Sequence, residues 1–424
     1  MNVHRYRAMI RNVISVEQAV ELILKQVSPL PAETVHILNA TGRVLCEDVR
    51  AGRNVPPFAN SAMDGFAVRW QDVAQAGSER PVTLKVLEEI AAGYVARQAV
   101  RQGTAIKIMT GAPIPRGADT IVRVEYTEPA GDQVRIQKVD GAGTHIRHAG
   151  EDIQKGQLIL EKGKVLTPAD IGLMASVGKS RVRVYRKPTV GVISTGDELL
   201  EIDDSPEPGK IVNSNSYTLS AAIEEAGATP MLLGIVRDKR RSLAAAFKKA
   251  LRCDVVMTSG GVSVGDYDFV KEALRDVGVR MGFWRVAQRP GHPMAFGRMG
   301  RKPVFGLPGN PVSSMVSFLL YARPALLKMM GHKNLFLPVI RATLEHDVRK
   351  APGLKEFTRC TVRYDRDQAF ASSTGTQSSG VLRSLSLAQG LIVGREEESL
   401  LQAGTQVPVI LVNPQDLLQR ELGF

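Results

Sequence analysis

Between residues 188 and 330, short apolar segments alternate with amphipathic ones, and this alternation limits the possible folds more than any other feature of the sequence. Such spacing is typical of strand–helix–strand units, which build a mainly parallel sheet covered by helices on both faces. Ligands of these sheets bind beyond the carboxyl ends of the strands. We predict strands at residues 190–194, 231–236, 255–258, 281–286 and 304–306, and helices at 216–226, 242–251, 269–277 and 312–330, the last bent at Pro324.

The segments on either side of this region have other patterns. Residues 15–18 form a capping box ahead of an amphipathic helix that Pro29 ends, and Pro168 occupies the first position of a second helix. Residues 81–139 contain short β-type runs separated by glycine and proline, which predict a β-rich domain. After residue 335 a second series of strands is predicted, without intervening helices, at 339–345, 356–363, 390–393 and 407–412.

The composition argues against several classes of protein. Lys and Arg outnumber Asp and Glu by 55 to 43, but the positive residues are scattered and aromatic residues make up only 5%, so nucleic acid is not a favoured partner. The three cysteines lie far apart and offer no zinc or iron–sulfur framework. No apolar run approaches the ~18 residues that cross a bilayer, and the basic N-terminus lacks the apolar core of a signal peptide. We therefore expect a cytoplasmic protein without a membrane partner.

Carboxylates and glycines follow several of the predicted strands. Asp197 and Glu198 are adjacent at one strand end, where their mutual repulsion favours a nearby cation or donor amides. Gly260 and Gly261 follow a second strand, and there they would let backbone amides approach a phosphate. Asp268, just before the next helix, is either a helix cap or a ligand of a metal ion that bridges phosphate oxygens.

Other polar residues near the strand ends have two explanations each. Asp238 follows a third strand and is either an acid of the same site or a turn carboxylate paired with a neighbouring arginine. Asn213 and Asn215 suit the edge of a heterocycle, although capping alone would explain Asn215. Arg289 and His292, in an Arg-Pro-Gly-His-Pro turn, could both face one anion, although a lone loop histidine is more often a surface residue. Residues 307–313 form a stiff turn into a helix N-terminus, a second anion site.

Three further segments, at residues 57–67, 109–113 and 147–153, lie outside the sheet region. The pair Asp64-Gly65 alone predicts only a turn. Its apolar-flanked sequence Ser-Ala-Met-Asp-Gly has no general structural explanation.

Taken together, these segments resemble the molybdopterin molybdenumtransferase family, which shares its fold with the C-terminal part of gephyrin. The resemblance extends over essentially the whole chain, and its motifs are specific in combination. They are residues 60–65 (Asn-Ser-Ala-Met-Asp-Gly), 109–113 (Met-Thr-Gly-Ala-Pro), 150–152 (Gly-Glu-Asp), 194–198 (Ser-Thr-Gly-Asp-Glu), 260–266 (Gly-Gly-Val-Ser-Val-Gly-Asp) and 306–311 (Gly-Leu-Pro-Gly-Asn-Pro).

The resemblance implies a multidomain α/β fold. Residues 188–332 would form a doubly wound, mainly parallel-sheet domain that binds molybdopterin. Residues 1–52 and 153–187 would form an elongated N-terminal domain, residues 53–152 an inserted β-rich domain, and residues 335–424 a C-terminal β-barrel. Members form homodimers, so each site would lie between the sheet domain of one subunit and the inserted domain of the other.

The resemblance also implies a reaction. The chain would insert molybdenum from molybdate into the dithiolene of adenylylated molybdopterin, with hydrolysis and release of AMP and with Mg²⁺ as cofactor. The upstream adenylyltransferase is a further expected partner. The metal ligands would be Asp197, Glu198 and Asp268, within a catalytic set completed by Asp64, Thr110, Asp152 and Asp238. The substrate-binding set would be Arg147, Thr195, Gly196, Asn213, Asn215, Gly260, Gly261, Ser263, Arg289, His292, Pro293, Ser313, Arg359 and Ser379.

The sequence departs from the family pattern at three positions. Arg289 and His292 stand where lysines are usual, and Ala59 stands where an aspartate is common. Arginine keeps the charge in a planar form, whereas a histidine side chain is mostly neutral above pH ~6.5. The preferred oxyanion, molybdate or tungstate, is therefore left open.

Alternative functions come from several classes. A tungsten-directed paralogue would use the same chemistry, and a non-catalytic molybdopterin-binding or scaffolding protein would keep only the binding. The enzyme that adenylylates molybdopterin would share only the sheet domain. Binding to DNA has no support beyond the net charge.

Overall fold

The computed structural model describes residues 13–261, 269–366 and 368–413. The chain divides into two compact units, the first formed by residues up to 33 together with those from 185 onwards, and the second by residues 34–184. It passes from one unit to the other within strands Ala32–His36 and Arg181–Tyr185. Within the described ranges, every helix is too short or too polar to cross a membrane.

A six-stranded mixed sheet forms the centre of the first unit. In spatial order its strands are Thr229–Val236, Thr189–Thr195, Val255–Ser259, Lys302–Leu307, Ala295–Met299 and Arg280–Phe283. The first four are parallel to one another, and Ala295–Met299 runs antiparallel to both of its neighbours. The predicted mainly parallel sheet is confirmed, but Ala295–Met299 escapes prediction because Gly297 interrupts its short apolar run.

Both faces of this sheet are covered by helices, as predicted. Val255 and Val256 enter different hydrophobic cores because successive side chains of a strand point to opposite faces. Helices Ser214–Glu225 and Pro311–Ser317 contribute to the first core, and Arg240–Ala250 with Phe269–Asp276 to the second.

The helix Val16–Gln26 begins with the predicted capping box. Ser15 Oγ accepts from the Gln18 amide at 3.1 Å, and Gln18 Oε1 accepts from the Ser15 amide at 3.0 Å. Its buried residues Val16, Ala19 and Ile23 lie in the first core of the sheet. The stripe of apolar residues predicts the helix itself but not the surface on which it packs.

The helix predicted over residues 312–330 is divided into three segments. α-Helices Pro311–Ser317 and Arg323–Met329 flank a π-helical segment, Phe318–Ala322. The irregularity therefore precedes Pro324 instead of coinciding with it. Proline has no amide hydrogen for a carbonyl one turn earlier, so the preceding turn is the one that widens.

Five strands close into a barrel after the sheet. Their order is Lys355–Asp365, Gln368–Ser373, Val339–Leu344, Gln406–Leu411 and Gly390–Gly394, and the last pairs back onto the first. The predicted barrel is confirmed, although strand Gln368–Ser373 and helix Leu382–Ser386 were not predicted. Strand Gln288–Arg289 adds in parallel to Lys355–Asp365 and so joins the sheet region to the barrel. Short pairs complete the unit, Leu199–Leu200 with Ile211–Val212 and Val348–Arg349 with Leu400–Leu401.

The second unit contains another six-stranded mixed sheet, as the β-type runs predict. Its order is Thr120–Arg123, Gly65–Val68, Thr104–Ile108, Val82–Ile90, Gln133–Ile136 and Thr127–Ala130. Two short antiparallel pairs accompany it, Asn60–Ser61 with Ile146–Arg147 and Val49–Arg50 with Leu158–Leu160. The helix Pro168–Ser176 starts at the predicted proline, with Thr167 as its cap. Short helical turns occupy Ile37–Asn39, Trp70–Val73 and Val124–Tyr126.

One ion pair fixes the amino ends of two central strands. Arg186 donates two hydrogen bonds of 2.7 Å to the carboxylate of Asp254, and the amide and hydroxyl of Thr189 donate two more at 2.8 and 2.9 Å. Burial by itself would raise the pKa of Asp254, but these hydrogen bonds outweigh it and lower the pKa to about 2.

We expect Asp254→Ala to reduce the free energy of unfolding by about 2–4 kcal/mol, because it leaves a partly buried guanidinium and a backbone amide without their acceptor. The folded pKa of about 2 lies below the ordinary value of 3.8, so the stabilisation is complete above that value and is lost as the pH falls toward 2. Urea unfolding across this pH range measures it.

Glu21→Ala is the control for this experiment. It breaks the exposed Lys25–Glu21 pair and is expected to leave the urea midpoint unchanged. Equal losses of stability in the two variants would contradict a special role for Asp254.

Candidate functional site

A cavity of about 1170 Å³ lies in the first unit at the carboxyl ends of the parallel strands. Its walls include the strand ends Thr195 and Ser259, the turn at residues 288–293 and the barrel loop at residues 377–380. This is where a doubly wound sheet binds its ligands. Twelve predicted site residues line it: Thr195, Glu198, Asn213, Asn215, Asp238, Gly260, Gly261, Arg289, His292, Pro293, Ser313 and Ser379.

The remaining predicted residues have other positions. Gly196 and Asp197 belong to the same turn as Glu198 without lining the cavity, and Arg359 is fully buried behind the cavity loop at residues 376–378. Ser263 and Asp268 lie outside the described residues. The second unit contains the other four, Asp64, Thr110, Arg147 and Asp152.

Three carboxyl groups, those of Asp197, Glu198 and Asp238, lie near one another and form an acidic cluster. Burial raises the pKa of Asp238, and the negative charges of Asp197 and Glu198 raise it further. Oδ1 of Asp238 is buried without a hydrogen-bond partner. Lys210 Nζ donates a hydrogen bond to the backbone carbonyl of Asp197, so the positive charge of Lys210 lies beside the Asp197 backbone. A cation would relieve the repulsion among the three acids.

A metal site at these carboxyl groups would be incomplete in the described part of the chain. Among residues 13–261, 269–366 and 368–413, no group of three or more His, Cys, Asp or Glu side chains is arranged to hold a metal ion. The predicted set includes Asp268, which lies beyond those ranges. Carboxylate oxygens are the ligands that Mg²⁺ prefers. Oδ1 of Asp238 is buried without a hydrogen-bond partner, so the described residues fit part of a Mg²⁺ site.

The two asparagines have different local roles. Asn213, not Asn215, caps the helix Ser214–Glu225, and its Oδ1 accepts from the hydroxyl of Ser194 at 2.8 Å. Asn215 Nδ2 donates to Ser259 Oγ and to the Gly309 carbonyl, both at 2.7 Å. Asn215 thus joins two loops of the cavity wall.

Gly260 makes the close approach of two strand ends possible. A Cβ atom there would lie 2.5 Å from the carbonyl oxygen of Thr195, and φ is +93°. Only glycine accepts both conditions without strain. The strand end Val255–Ser259 therefore meets the acidic turn at residues 195–198 directly.

Arg289 and His292 lie on the turn at residues 288–293. Arg289 is exposed, and His292 Nδ1 is 2.7 Å from the carbonyl of Val286. Because a carbonyl only accepts, Nδ1 carries a proton and Nε2 is left for other contacts. Glu356, the strand neighbour of Arg289, is buried. Burial raises the pKa of Glu356, against the opposing effect of the Arg289 charge and that of Lys350.

Arg359 lies in the barrel strand that faces the loop at residues 376–378. It is fully buried, and Nη2 donates to the carbonyls of Thr376 and Ser378 at 3.1 Å each. Nε and Nη1 have no hydrogen-bond partner. Burial lowers the pKa of this guanidinium. The charge supports the loop and contributes positive potential without lining the cavity.

Part of the cavity wall was not predicted. Gln377 and Ser378 line it beside the predicted Ser379. Asn310 Nδ2 donates to Ser379 Oγ at 2.9 Å, and the amide of Val312 donates to the Ser379 carbonyl at 3.1 Å. The only signal in the sequence is a run of small polar residues between two strands, a pattern that also describes ordinary loops.

In the second unit, Asp64 has a fixed orientation although it is exposed. Its Oδ1 accepts from the amide and the hydroxyl of Thr110 at 2.6 and 2.7 Å, and these bonds lower the pKa of the carboxyl. Arg147 lies in the short strand Ile146–Arg147, opposite Asn60. Asp152 is exposed, and its amide donates to the carbonyl of Val55 at 3.0 Å.

Family models match three parts of the chain. Residues 14–178 match the model described as MoeA N-terminal region (domain I and II). Residues 191–328 match a Probable molybdopterin binding domain, and residues 341–412 match the MoeA C-terminal region (domain IV).

Similar proteins match over nearly their whole length. The chain is 38% identical over 405 residues to molybdopterin molybdenumtransferase 2 of Mycobacterium tuberculosis, a match that covers 94% of this chain and 99% of the relative. It is 35% identical over 411 residues to molybdopterin molybdenumtransferase of Bacillus subtilis, covering 96% of each. The crystal structure of molybdopterin biosynthesis moeA protein from Pyrococcus horikoshii OT3 is 32% identical with a TM-score of 0.77, covering 94% of this chain and 100% of that one.

We expect Asp238→Asn to raise the melting temperature measured without divalent cations, because the amide is not repelled by Asp197 and Glu198. Mg²⁺ at ~100 times its Kd would stabilise the wild type by about 2.7 kcal/mol, and it would stabilise the variant less. Thermal unfolding with and without Mg²⁺ measures both effects. Glu207→Gln removes an exposed charge from the loop that carries Lys210 and serves as the control. Equal stabilisation of all three proteins by Mg²⁺ would contradict an effect of the Asp238 charge on a cation bound beside Asp197 and Glu198.

Proposed function

The chain belongs to the molybdopterin molybdenumtransferase family, and from this premise we propose that it inserts molybdenum into molybdopterin. The observation that carries the proposal is the cavity at the sheet's carboxyl edge, which combines acidic groups, cationic groups and backbone turns. The chain is an enzyme of the transferase class, as its relatives are named.

We propose adenylylated molybdopterin and molybdate as the substrates. Water would cleave the phosphoanhydride of the adenylylated pterin to give the pterin phosphate and AMP. The two dithiolene sulfurs would then bind molybdenum in place of one oxo group of molybdate, and that oxygen would leave as water with the two thiol protons. A site for this reaction needs donors for anionic oxygens and acids that can orient water, and the cavity offers both kinds of group.

The acidic cluster and the cationic turn suit different parts of these substrates. Glu198 and Asp238 are placed to accept hydrogen bonds from water or from the pterin ring. Asp238 is the better candidate for taking up a proton, because burial raises the pKa of its carboxyl. Arg289 and His292, with Ser313 and Ser379, are suited to the oxygens of molybdate.

Mg²⁺ is proposed as the cofactor, held by Asp197, Glu198 and Asp268. When bound, it would neutralise charge on the phosphate oxygens of the substrate. Among these ligands, the part of the chain that the structure describes contains Asp197 and Glu198. Their repulsion of Asp238 supports a cation at this position.

We further propose that the protein acts as a homodimer. The partner subunit would supply Asp64, Thr110, Arg147 and Asp152 to each cavity. The fixed orientation of the exposed Asp64 carboxylate supports this, because an exposed side chain held by two hydrogen bonds is already oriented for a contact. The upstream adenylyltransferase would be a transient partner that delivers the adenylylated substrate.

The experiment that tests the function is AMP release from purified adenylylated molybdopterin in the presence of Mg²⁺. We expect release that depends on molybdate and yields active cofactor. Faster release with tungstate would favour the tungsten-directed alternative, since Arg289 and His292 replace the usual lysines. Tight binding of the adenylylated pterin without AMP release under either oxyanion would favour a binding or scaffolding protein.

Subunit mixing tests whether the site is shared. Asp64→Asn and Asp238→Asn are each expected to lose most activity as homodimers. Random mixing gives half heterodimers, each with one intact site if the site is shared, so activity should return to about a quarter of wild type. No recovery, with heterodimers confirmed by mass, would contradict a shared site.

A further inference from the structure

The turn at residues 289–293 packs against the buried amide side chain of Gln288. Gln288 is fully buried, and its Nε2 donates to the carbonyl of Pro290 at 2.9 Å. A carbonyl only accepts hydrogen bonds, so the amide nitrogen must face Pro290 and the amide oxygen must face the other way. That oxygen accepts a hydrogen bond from the hydroxyl of Tyr321. Gln288 therefore joins the turn to Tyr321, with its amide nitrogen toward Pro290 and its amide oxygen toward Tyr321.

Tyr321 belongs to the π-helical segment Phe318–Ala322. Its side chain is 1% exposed, and burial raises the pKa of its hydroxyl, which remains a donor throughout the neutral range. π-Helical turns are rare and often occur at functional sites. Here the segment brings a buried hydroxyl to Gln288.

The turn packs tightly on this pair. A Cβ atom at Gly291 would lie 2.5 Å from Gln288 Nε2 and 2.7 Å from Ser317 Oγ, and φ there is +96°. The turn therefore rests directly on the amide, with no room for a side chain between them. Arg289 and His292 are the immediate neighbours of these anchored residues, and both line the cavity.

We propose that Gln288 and Tyr321 are positioning residues that set the place of Arg289 and His292 in the cavity, and thereby the affinity for the oxyanion. This inference rests on the proposed function, in which that turn binds molybdate. Tyr321 is buried in the helix behind the turn, and Gln288, although it borders the cavity, is 0% exposed with its amide bonded to Pro290 and Tyr321, so neither side chain is presented to a substrate. Their effect would pass through the turn alone.

Tyr321→Phe is the decisive variant, because it removes the donor to Gln288 and keeps the ring that fills the core. We expect the half-saturating molybdate concentration for AMP release to rise about tenfold, which is the effect of one lost buried hydrogen bond. The maximal rate should change by less than about twofold, and half-saturation by the adenylylated pterin should not change. A general loss of structure would instead lower the maximal rate or affect both substrates.

Two further variants complete the test. Ser317→Ala removes only a 3.5 Å contact with Gln288 Nε2 and is expected to behave as wild type. Gln288→Met removes the hydrogen bonds of the amide to Pro290 and Tyr321 together with the 3.5 Å contact to Ser317, and it should raise the half-saturating molybdate concentration at least as much as Tyr321→Phe does. Adding Tyr321→Phe to Gln288→Met should then change little, since the two residues act as one unit. Gln288→Met also replaces Tyr321→Phe in the comparison if the latter does not fold.

Failure of the inference can be distinguished from failure of the proposed function. Wild-type AMP release with an unchanged molybdate dependence in Tyr321→Phe would overturn the inference alone. Absence of AMP release in the wild type would count against the proposed function. In that case calorimetric titration with molybdate decides the inference, because weaker binding to Tyr321→Phe than to wild type supports it and equal binding overturns it.

Discussion

The burial of the central sheet on both faces is the constraint on which the rest of the first unit depends. Val255 and Val256 enter separate cores, so the middle of each strand has no room for polar chemistry. Polar residues can collect only where the strands end. At the amino ends of the strands, Asp254 forms a hydrogen-bonded ion pair with Arg186. The carboxyl ends at Thr195 and Ser259 open into the cavity. One end of the sheet is thus used for stability and the other for binding.

The sequence predicts what depends on local rules or on parallel-sheet geometry. The capping box at residues 15–18 is local, and the approach of Asp238 to Asp197 follows because parallel strands end at the same edge. The barrel wall at Gln377 depends on how a separate closed sheet packs beside the first, which no local pattern encodes. The π-helical segment and the buried amide of Gln288 were missed for the same reason, since both are defined by tertiary contacts.

The acids Glu198 and Asp238 and the cation Arg289 lie on different loops of the cavity wall. Asp197, Glu198 and Asp238 are close enough for the charges of the first two to raise the pKa of the third. The strand neighbour of Arg289 is Glu356, a buried acid. Burial raises the pKa of Glu356, which weakens its electrostatic pairing with Arg289. If the acids were mixed with Arg289, each charge would be neutralised internally. Separation leaves one group to attract cations and the other to attract an oxyanion.

His292 changes how the cationic group can work. A lysine reaches an anion through a flexible stem and carries its charge throughout the neutral range, whereas the imidazole of His292 is fixed by the bond from Nδ1 to the Val286 carbonyl. With Nδ1 already donating, Nε2 can donate to an oxyanion only if the ring also takes up a second proton. The permanent charges of Arg289 and Arg359 would then supply the attraction for an oxyanion, and the fixed imidazole of His292 would help to orient it.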